Sequence, residues 1–404
     1  MVKKLKILQL SNKAPYPPKD GGAISINNVT FELLAAGHDV KVLSVNTHKH
    51  FTEVKSLPED YVKKTGIEFI FVDTRVKPLQ AALNLFGKRS YNIVRFFSAD
   101  FAKRLSEILQ ENDFDIIQME SIFLIDYLPV IRKYSKAKIV LRAPNVEYMI
   151  WERMAEAESN PLKKLYLKLL SRRLKREETN VLNRFDAIYT LTRNDMEILR
   201  RHGARVPMTF IPTGLDVSKT IDTQDDNEEE LSVFHIGALD WMPNQEGLRW
   251  FLSEVWPYVS ANFPEVKFYI AGRRPPEWIE NLQEKNVVVL GEVEDAGAFI
   301  KKHPVMVVPL FSGSGMRVKI IEGMMLGRAV VSTAVGAEGI IVKNGEDIMI
   351  ADDSVSFREA LTELLGDEVK LKSLREKAAE NCRKNYSEEV ITRRLAEFLD
   401  DLLK

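Results

Sequence analysis

The chain holds one cysteine, six histidines and almost no net charge; its 404 residues sum to −1. A lone Cys382 cannot close an internal disulfide, and a Cys-based zinc site needs thiols at spacings that are absent. His38, His48, His50, His202, His235 and His303 never fall in a metal spacing such as HExxH, so each reads as a surface or core side chain. Near-neutrality removes any global electrostatic case for nucleic acid. A composition of 45% hydrophobic and 28% charged residues excludes a disordered chain. No run of 18 apolar residues occurs, since IFLIDYLPVI is broken by Asp126 and Pro129. The opening MVKKLKILQLSN is basic, with an apolar run too short for a signal peptide, so a cytoplasmic protein is expected. No GxxxxGK[ST] loop exists, which argues against a P-loop ATPase or GTPase.

What is there is alternation. Apolar strand-like runs at residues 6–10, 40–45, 67–72, 115–118, 138–141 and 186–191 are separated by helical patterns, among them 23–36, ended by Gly37, and 77–101. Asp113-Phe114-Asp115 imitates a metal-binding pair but precedes its strand, so it reads as structural. Residues 216–230, DVSKTIDTQDDNEEE, are acidic and polar and read as a linker. The alternation then restarts: strands at 232–236, 267–271, 287–290, 305–310, 329–332 and 348–350, a helix at 245–258, and two helices closing the chain. The length suits two domains. The expected fold is α/β, with two Rossmann-like doubly wound domains facing across a cleft. Residues 1–215 form the first domain, 216–230 the linker and 231–385 the second. Residues 386–404 form a terminal helix free to pack back on the first domain.

One stretch carries most of the chemistry. VMVVPLFSGSGMRVKIIEGMMLGRAVVSTAVGAE is a strand, a Gly-rich turn, a helix and a second strand, and ligands of open α/β sheets bind beyond the carboxyl ends of strands. Arg317 and Lys319 fall in the first helical turn, where the macrodipole disfavours cations. Such cations beside loop N–H groups suit an anion such as a diphosphate, and Glu322 is placed to accept hydrogen bonds from ribose hydroxyls. The bland alternative is a solvated helix start. Gly21-Gly22, after the first strand, reads as a close backbone approach to a ligand or as a tight turn. The dinucleotide fingerprint is not met, because GSGMRV lacks its third glycine.

These residues resemble the family 4 retaining glycosyltransferases, which have the GT-B fold. The resemblance lies in GSGMRVKIIEGMMLGRAVVSTAVGAEGI, GALDWMPNQEGLRWFLSEVWP, GEVEDAGAFIKKHPVMVVPL and NGEDIMIADD, and upstream in RAPNVEYMIWERM and APYPPKDGGAISINN. It implies sugar transfer, with retention, from a nucleotide-diphosphate sugar to a glycan or lipid-linked acceptor in surface polysaccharide or glycolipid synthesis, without metal or other cofactor. Arg317, Lys319 and Glu322 are then the catalytic set, gripping diphosphate and ribose. Gly21, Gly22, Gly237, Glu292, Val293, Gly313, Ser314, Gly315 and Met316 bind the donor, Glu292 and Val293 beside the base. Asn145 and Glu147 lie on the acceptor side. Many relatives have a Glu eight residues before the one matched by Glu322, where this chain has Ser314, a His where it has Pro144, and an Arg–Lys pair where it has GALDWMPN. Arg317 and Lys319 are expected to take over that pair's phosphate role. Competing classes on the same architecture are a nucleotide-sugar epimerase, a phosphorylase, for which no pyridoxal-phosphate lysine site is visible, and a non-catalytic nucleotide-sugar-binding protein.

Residues 161–184 carry eight Lys or Arg against two Glu. They read either as a contact to anionic lipid headgroups at the inner face of the cell membrane or as a solvated helix face. They lack the aromatic interleaving an RNA platform needs.

Overall fold

The computed structural model describes residues 4–18, 20–77, 83–85, 87–215, 230–313 and 315–404. It separates into two compact units, Met1–Gly214 with Ile391–Lys404, and Leu215–Val390. The bulk of the linker (residues 216–229) and Ser314 lie outside the described residues.

In the first unit the strands are β1 (Lys6–Ser11), β2 (Asp39–Asn46), β3 (Glu68–Phe71), β4 (Ile116–Met119), β5 (Lys138–Ala143), β6 (Ala187–Thr190) and β7 (Met208–Phe210). They form one parallel sheet in the order β3-β2-β1-β4-β5-β6-β7. Strands covered by helices on both faces must be apolar on both. Accordingly Leu8, Leu10, Ile139 and Leu141 enter one core and Ile7 and Val140 the opposite one. The last helix, Glu388–Leu403, buries Ile391, Leu395 and Leu399 in that second core with Leu5, Val29 and Leu33. Their i, i+4, i+8 spacing keeps them on one helix face.

Helix α1 (Gly21–Ala35) starts earlier than its sequence suggests. The Asp20 carboxylate accepts the Ala23 N–H at 2.8 Å and caps the helix, so Gly21 and Gly22 are its first turn and not a loop. Two further helices matter below: α2 (Glu147–Ala157) and the basic α3 (Pro161–Val181). The 77–101 region is not one helix. Its described part holds a short helix, Tyr91–Val94, and then Ser98 caps Ala99–Glu111; Leu79 and Phe86 lie outside the described residues. Strand β7 went unread because three residues show no periodicity. Asp115 is structural: its carboxylate accepts the Lys6 N–H at 2.8 Å.

A buried polar network ties β1, β4, β5 and α1 together. Arg142 Nη1 lies 3.1 Å from Glu120, both side chains essentially inaccessible. Glu120 also accepts from Gln9 at 2.8 Å and Gln118 at 2.6 Å, while Arg142 donates to the Ser25 carbonyl at 3.2 Å.

The second unit is a parallel sheet of β8 (Ser232–Ile236), β9 (Lys267–Ala271), β10 (Val287–Gly291), β11 (Val305–Val308), β12 (Ala329–Ser332) and β13 (Met349–Ile350), in the order β10-β9-β8-β11-β12-β13. Val233, Phe268, Val305 and Val331 fill one core, and Phe234, Met306, Val308 and Val330 the other. The order reverses between β8 and β11, so the loops leaving these neighbours diverge and open a crevice at their carboxyl ends. Between β11 and β12 runs α4 (Val318–Met325), shorter than its sequence pattern, with Met316 and Arg317 still outside it. Three helices rather than two end the chain, because Asp353 and Asp367 each cap a new one, Ser354–Gly366 and Glu368–Tyr386. Cys382 is buried in the second of these.

Candidate functional site

The crevice of the second unit is built from the loops after β8 and β11. Gly237 follows β8, and its N–H bonds the Ala271 carbonyl at 3.1 Å. Residues 242–244, which read as loop, are helical: Trp241 precedes Met242–Trp250, and Pro243 occupies its first turn, where a missing N–H costs nothing. Gly247 of this helix packs so close to β11's exit that a Cβ would lie 1.9 Å from the Pro309 carbonyl. That contact sets the two crevice walls at backbone distance.

Lys319, in the first turn of α4, is the centre of the site. Its ammonium donates to the Ile236 carbonyl at 3.1 Å and to Asn244 Oδ1 at 3.1 Å, and lies 3.5 Å from His235 Nε2. A Cβ at Gly237 would stand 3.1 Å from it. The Val307 carbonyl, 3.0 Å from His235 Nδ1, can only accept, so that nitrogen carries the ring proton and Nε2 offers a lone pair to Lys319. Burial, and then the neighbouring Lys319, hold His235 well below the usual histidine range, so the ring is neutral. The three partners of Lys319 are thus all uncharged. Burial and the adjacent Arg317 push its ammonium down to about 7.

Arg317 is buried and precedes α4 with non-helical backbone. Its guanidinium lies over the Trp241 ring, 5.5 Å from the centroid, and donates to the Gly315 carbonyl. Gly313, at φ 106°, fits beneath them; a Cβ there would meet Arg317 at 2.9 Å and Trp241 at 3.0 Å. Ser312 Oγ donates to Glu246 at 2.9 Å, tying the loop to the helix opposite.

The second unit therefore brings Gly237, Gly313, Gly315, Met316, Arg317 and Lys319 together at one crevice, with Glu322 one turn further along α4. Glu292 and Val293 stand apart, in the turn after the edge strand β10. Gly272 links that edge to the crevice: its N–H bonds the Gly291 carbonyl at 2.7 Å, and its Cα packs against the Gly237 carbonyl. Val293 lines an open groove of about 460 Å³ with Tyr269, Leu290 and Phe299. Sequence reasoning missed His235, Asn244 and Trp241, whose partners Lys319 and Arg317 lie 75 to 84 residues away along the chain. WMPN, a helix start facing the Gly-rich turn, was the available signal.

In the first unit a second set gathers at the carboxyl ends of β1, β2 and β5. Lys13 lies 3.2 Å from Asp20, and His50 Nε2 lies 3.3 Å from the same carboxylate. Burial alone would raise the Asp20 carboxyl, but the Ala23 N–H, Lys13 and His50 together bring it below its usual value. A Cβ on Gly22 would fall 2.6 Å from Lys13 Nζ, which places Gly22 against this cluster, whereas a Cβ on Gly21 would meet nothing within 4 Å. Asn145 hydrogen-bonds Glu147, and Lys13 acts on Glu147 electrostatically. Glu178 of α3, unread in the sequence, accepts the Glu147 and Tyr148 N–H groups at 3.0 Å each.

With both sheets and both residue sets placed, comparison with known proteins is decisive. Residues 19–219 match the family model Glycosyltransferase Family 4, and residues 230–367 match that of Glycosyl transferases group 1. The chain belongs to this glycosyltransferase family. A relative from Klebsiella pneumoniae, named as an uncharacterized 44.6 kDa protein in cps region, is 24% identical over 87% of this chain and 89% of its own. Anabaena HepE, solved with UDP, superposes with a TM-score of 0.70 at 13% identity, covering 98% of this chain and all of its own; it is also solved with UDP-glucose. Sucrose-phosphate synthase from Thermosynechococcus elongatus superposes at 0.70 with 16% identity over 97% and 98%. At such identity the likeness is one of fold, and the fold is GT-B. Among the described residues no helix is long and apolar enough to cross a membrane.

Proposed function

We propose that this glycosyltransferase moves a sugar, with retention at the anomeric carbon, from a nucleotide-diphosphate sugar to a glycan or lipid-linked acceptor in surface polysaccharide synthesis. The observation that carries the donor half is Lys319: an enclosed ammonium at a topological switch point, beside a second cation, whose hydrogen-bond partners are all neutral. A desolvated ammonium of this kind calls for an anion, and a diphosphate supplies one of the right size and charge. In this reading Arg317 and Lys319 hold the diphosphate, Gly313, Gly315 and Met316 approach it through backbone, Gly237 leaves it room, and Glu322 accepts from the ribose; Ser314, also expected at the donor, lies outside the described residues. Glu292 and Val293 border the base through backbone, and Gly21 and Gly22 let the Lys13 loop approach the donor. Asn145 and Glu147 receive the acceptor. HepE's UDP complexes support the donor class, and the cps-region relative supports the polysaccharide setting.

The mechanism rests on charge and position. As the C1–O bond to the diphosphate breaks, negative charge grows on the leaving oxygen, and two preorganised cations stabilise it most when it is fully developed. The departing oxygen takes the acceptor hydroxyl's proton, so no strong base is required. The grip on the diphosphate is met by side chains, which leaves no role that demands a metal.

Helix α3 adds a second element. Leu162 and Leu165 are 81% and 67% exposed beside Lys163, Lys164 and Lys168. Apolar tips among lysines suit an anionic bilayer surface, where each cation near the headgroups contributes about 1 kcal/mol. Co-sedimentation with phosphatidylserine vesicles at low salt tests this, and its absence removes the membrane role.

The decisive experiment incubates the chain with UDP-, GDP-, ADP- and dTDP-sugars. Release of nucleoside diphosphate with retained anomeric configuration supports the proposal. Isomerisation at C2 would make the protein an epimerase, and binding without turnover a sugar-nucleotide receptor. Arg317→Ala is expected to lower kcat/KM about 100-fold or more with the far-UV spectrum unchanged. Near-normal kcat/KM in that variant would sink the donor assignment.

A further inference from the structure

On the sheet face turned toward α1, side chains repeat every second residue along each strand. Near the amino ends they are apolar: Ile7 on β1, Ile116 on β4, Val140 on β5 and Ala187 on β6. Toward the carboxyl ends the same face turns polar, with Gln9, Gln118, Glu120 just past β4, Arg142 and Tyr189, all at most 2% exposed. The change falls in the half of this core beneath the loops after β1 and β5. Two arms run from Glu120 to α1. One passes through Arg142, whose Nη1 lies 3.1 Å from Glu120 and whose Nη2 donates to the Ser25 carbonyl at 3.2 Å and to the Ser25 hydroxyl. The other passes through Gln9, which donates to Glu120 at 2.8 Å and accepts from the Thr30 hydroxyl at 2.7 Å. Ser25 Oγ in turn lies 3.0 Å from Thr213 Oγ1.

Stability does not account for this arrangement. Replacing a buried ion pair by apolar side chains of similar volume is often neutral or stabilising. Among the described residues, moreover, Gln118 Oε1 and the Tyr189 hydroxyl have no hydrogen-bond partner, and each such buried group lowers stability. What the network does supply is geometry. A guanidinium is a rigid planar fork that holds two partners in fixed directions at once. Here it ties Ser25, one turn after Gly21 and Gly22, to β5, and three residues beyond Arg142 the chain reaches Asn145. We propose that Arg142, set by Glu120, is a positioning residue for sugar transfer. It fixes the start of α1, with Gly21 and Gly22, against the end of β5, which leads into Asn145. This rests on the reading of the two glycines as donor-side residues and Asn145 as an acceptor contact, and adds the group that holds them in register.

Hydrogen exchange of the full chain, read by mass spectrometry, tests this without a substrate. Arg142→Lys keeps a cation beside Glu120 but presents one nitrogen in place of the fork, so it cannot hold Glu120 and Ser25 together. Amides of residues 21–27 and 143–148 should then exchange about tenfold faster or more, as loss of a hydrogen bond from a charged donor implies. Strands β2 and β3 and the second unit should exchange as before. Ser25→Ala leaves the ion pair intact and should loosen residues 21–27 in the same sense, so the prediction stands even where an Arg142 variant does not fold. Nucleoside diphosphate release, assayed with UDP-, GDP-, ADP- and dTDP-glucose, should fall about tenfold or more in kcat in Arg142→Lys, while UDP binding by calorimetry stays as in the wild type. Unchanged exchange in both segments, faster exchange spread evenly through the first unit, or loosened segments with a wild-type kcat overturns the proposal. A wild type that releases nucleoside diphosphate from none of the four sugars counts against the transfer reading, and the exchange data still decide what Arg142 holds.

Discussion

Lys319 offers the sharpest quantitative prediction. In the free protein its ammonium is pushed down to about 7, by burial first and by Arg317 second. A bound diphosphate favours the charged form, so binding above pH 7 must take up a proton. Each pH unit above 7 then costs about 1.4 kcal/mol to recharge the lysine, which is about tenfold in Kd. Arg317 stays charged throughout, His235 stays neutral, and the terminal phosphate of a nucleoside diphosphate is ionised above a pH of about 7, so one group dominates the window. Lys319→Met keeps the stem and removes the charge. Losing a charge-assisted hydrogen bond costs about 1.5–3 kcal/mol, or about 10- to 150-fold at pH 7, where half of Lys319 is charged. By pH 9 the wild type spends about 2.7 kcal/mol on recharging, so the two proteins should bind UDP with similar affinity there. Calorimetry in two buffers of different ionisation heat measures the uptake directly: close to one proton at pH 8 for the wild type and none for the variant. A wild-type Kd independent of pH between 7 and 9, or a variant that binds as tightly at pH 7, would refute the assignment.

The same lysine predicts a stability effect of opposite sense. Unfolded lysine keeps its proton to about pH 10.4, whereas folded Lys319 releases it near 7, so the unfolded state binds more protons across that window. The penalty is greatest below pH 7 and relaxes as pH rises, so Lys319→Met should melt higher than the wild type at pH 6.5. Gly247→Ala should lose about 2 kcal/mol or more, since its Cβ would lie 1.9 Å from the Pro309 carbonyl and backbone must shift; an unchanged urea midpoint would contradict the close approach. Glu120→Ala leaves the Arg142 guanidinium buried without its carboxylate and should cost about 3–5 kcal/mol. Urea unfolding followed by tryptophan fluorescence reads both.

The local chain was enough to reveal the β/α alternation, because strands buried on both faces are apolar without interruption, as in Val305–Val308 and Ala329–Ser332. It also exposed the Gly-rich turn and its two cations, since Gly313 and Gly315 at positive φ break any periodic pattern. Helix starts were less legible. Asp20 caps Gly21, and Asp367 starts a helix the composition did not announce, because a cap depends on one side chain's hydrogen bond and not on a repeat.

What only the tertiary structure decided is who stands beside whom. Lys319 reads as an exposed helix-start cation until β8 brings His235 and Ile236, and the next helix Asn244, around its ammonium. Glu178 reads as one acid among the arginines and lysines of a basic helix until packing of α3 on α2 turns it inward to cap Glu147. Arg142 in β5 and Glu120 just beyond β4 are buried charges that only sheet pairing explains. Periodicity along a chain reports which face is buried. The charge state of a buried group depends on its neighbours in space, and those are set by the order β10-β9-β8-β11-β12-β13 and its counterpart in the first unit, not by any stretch of sequence.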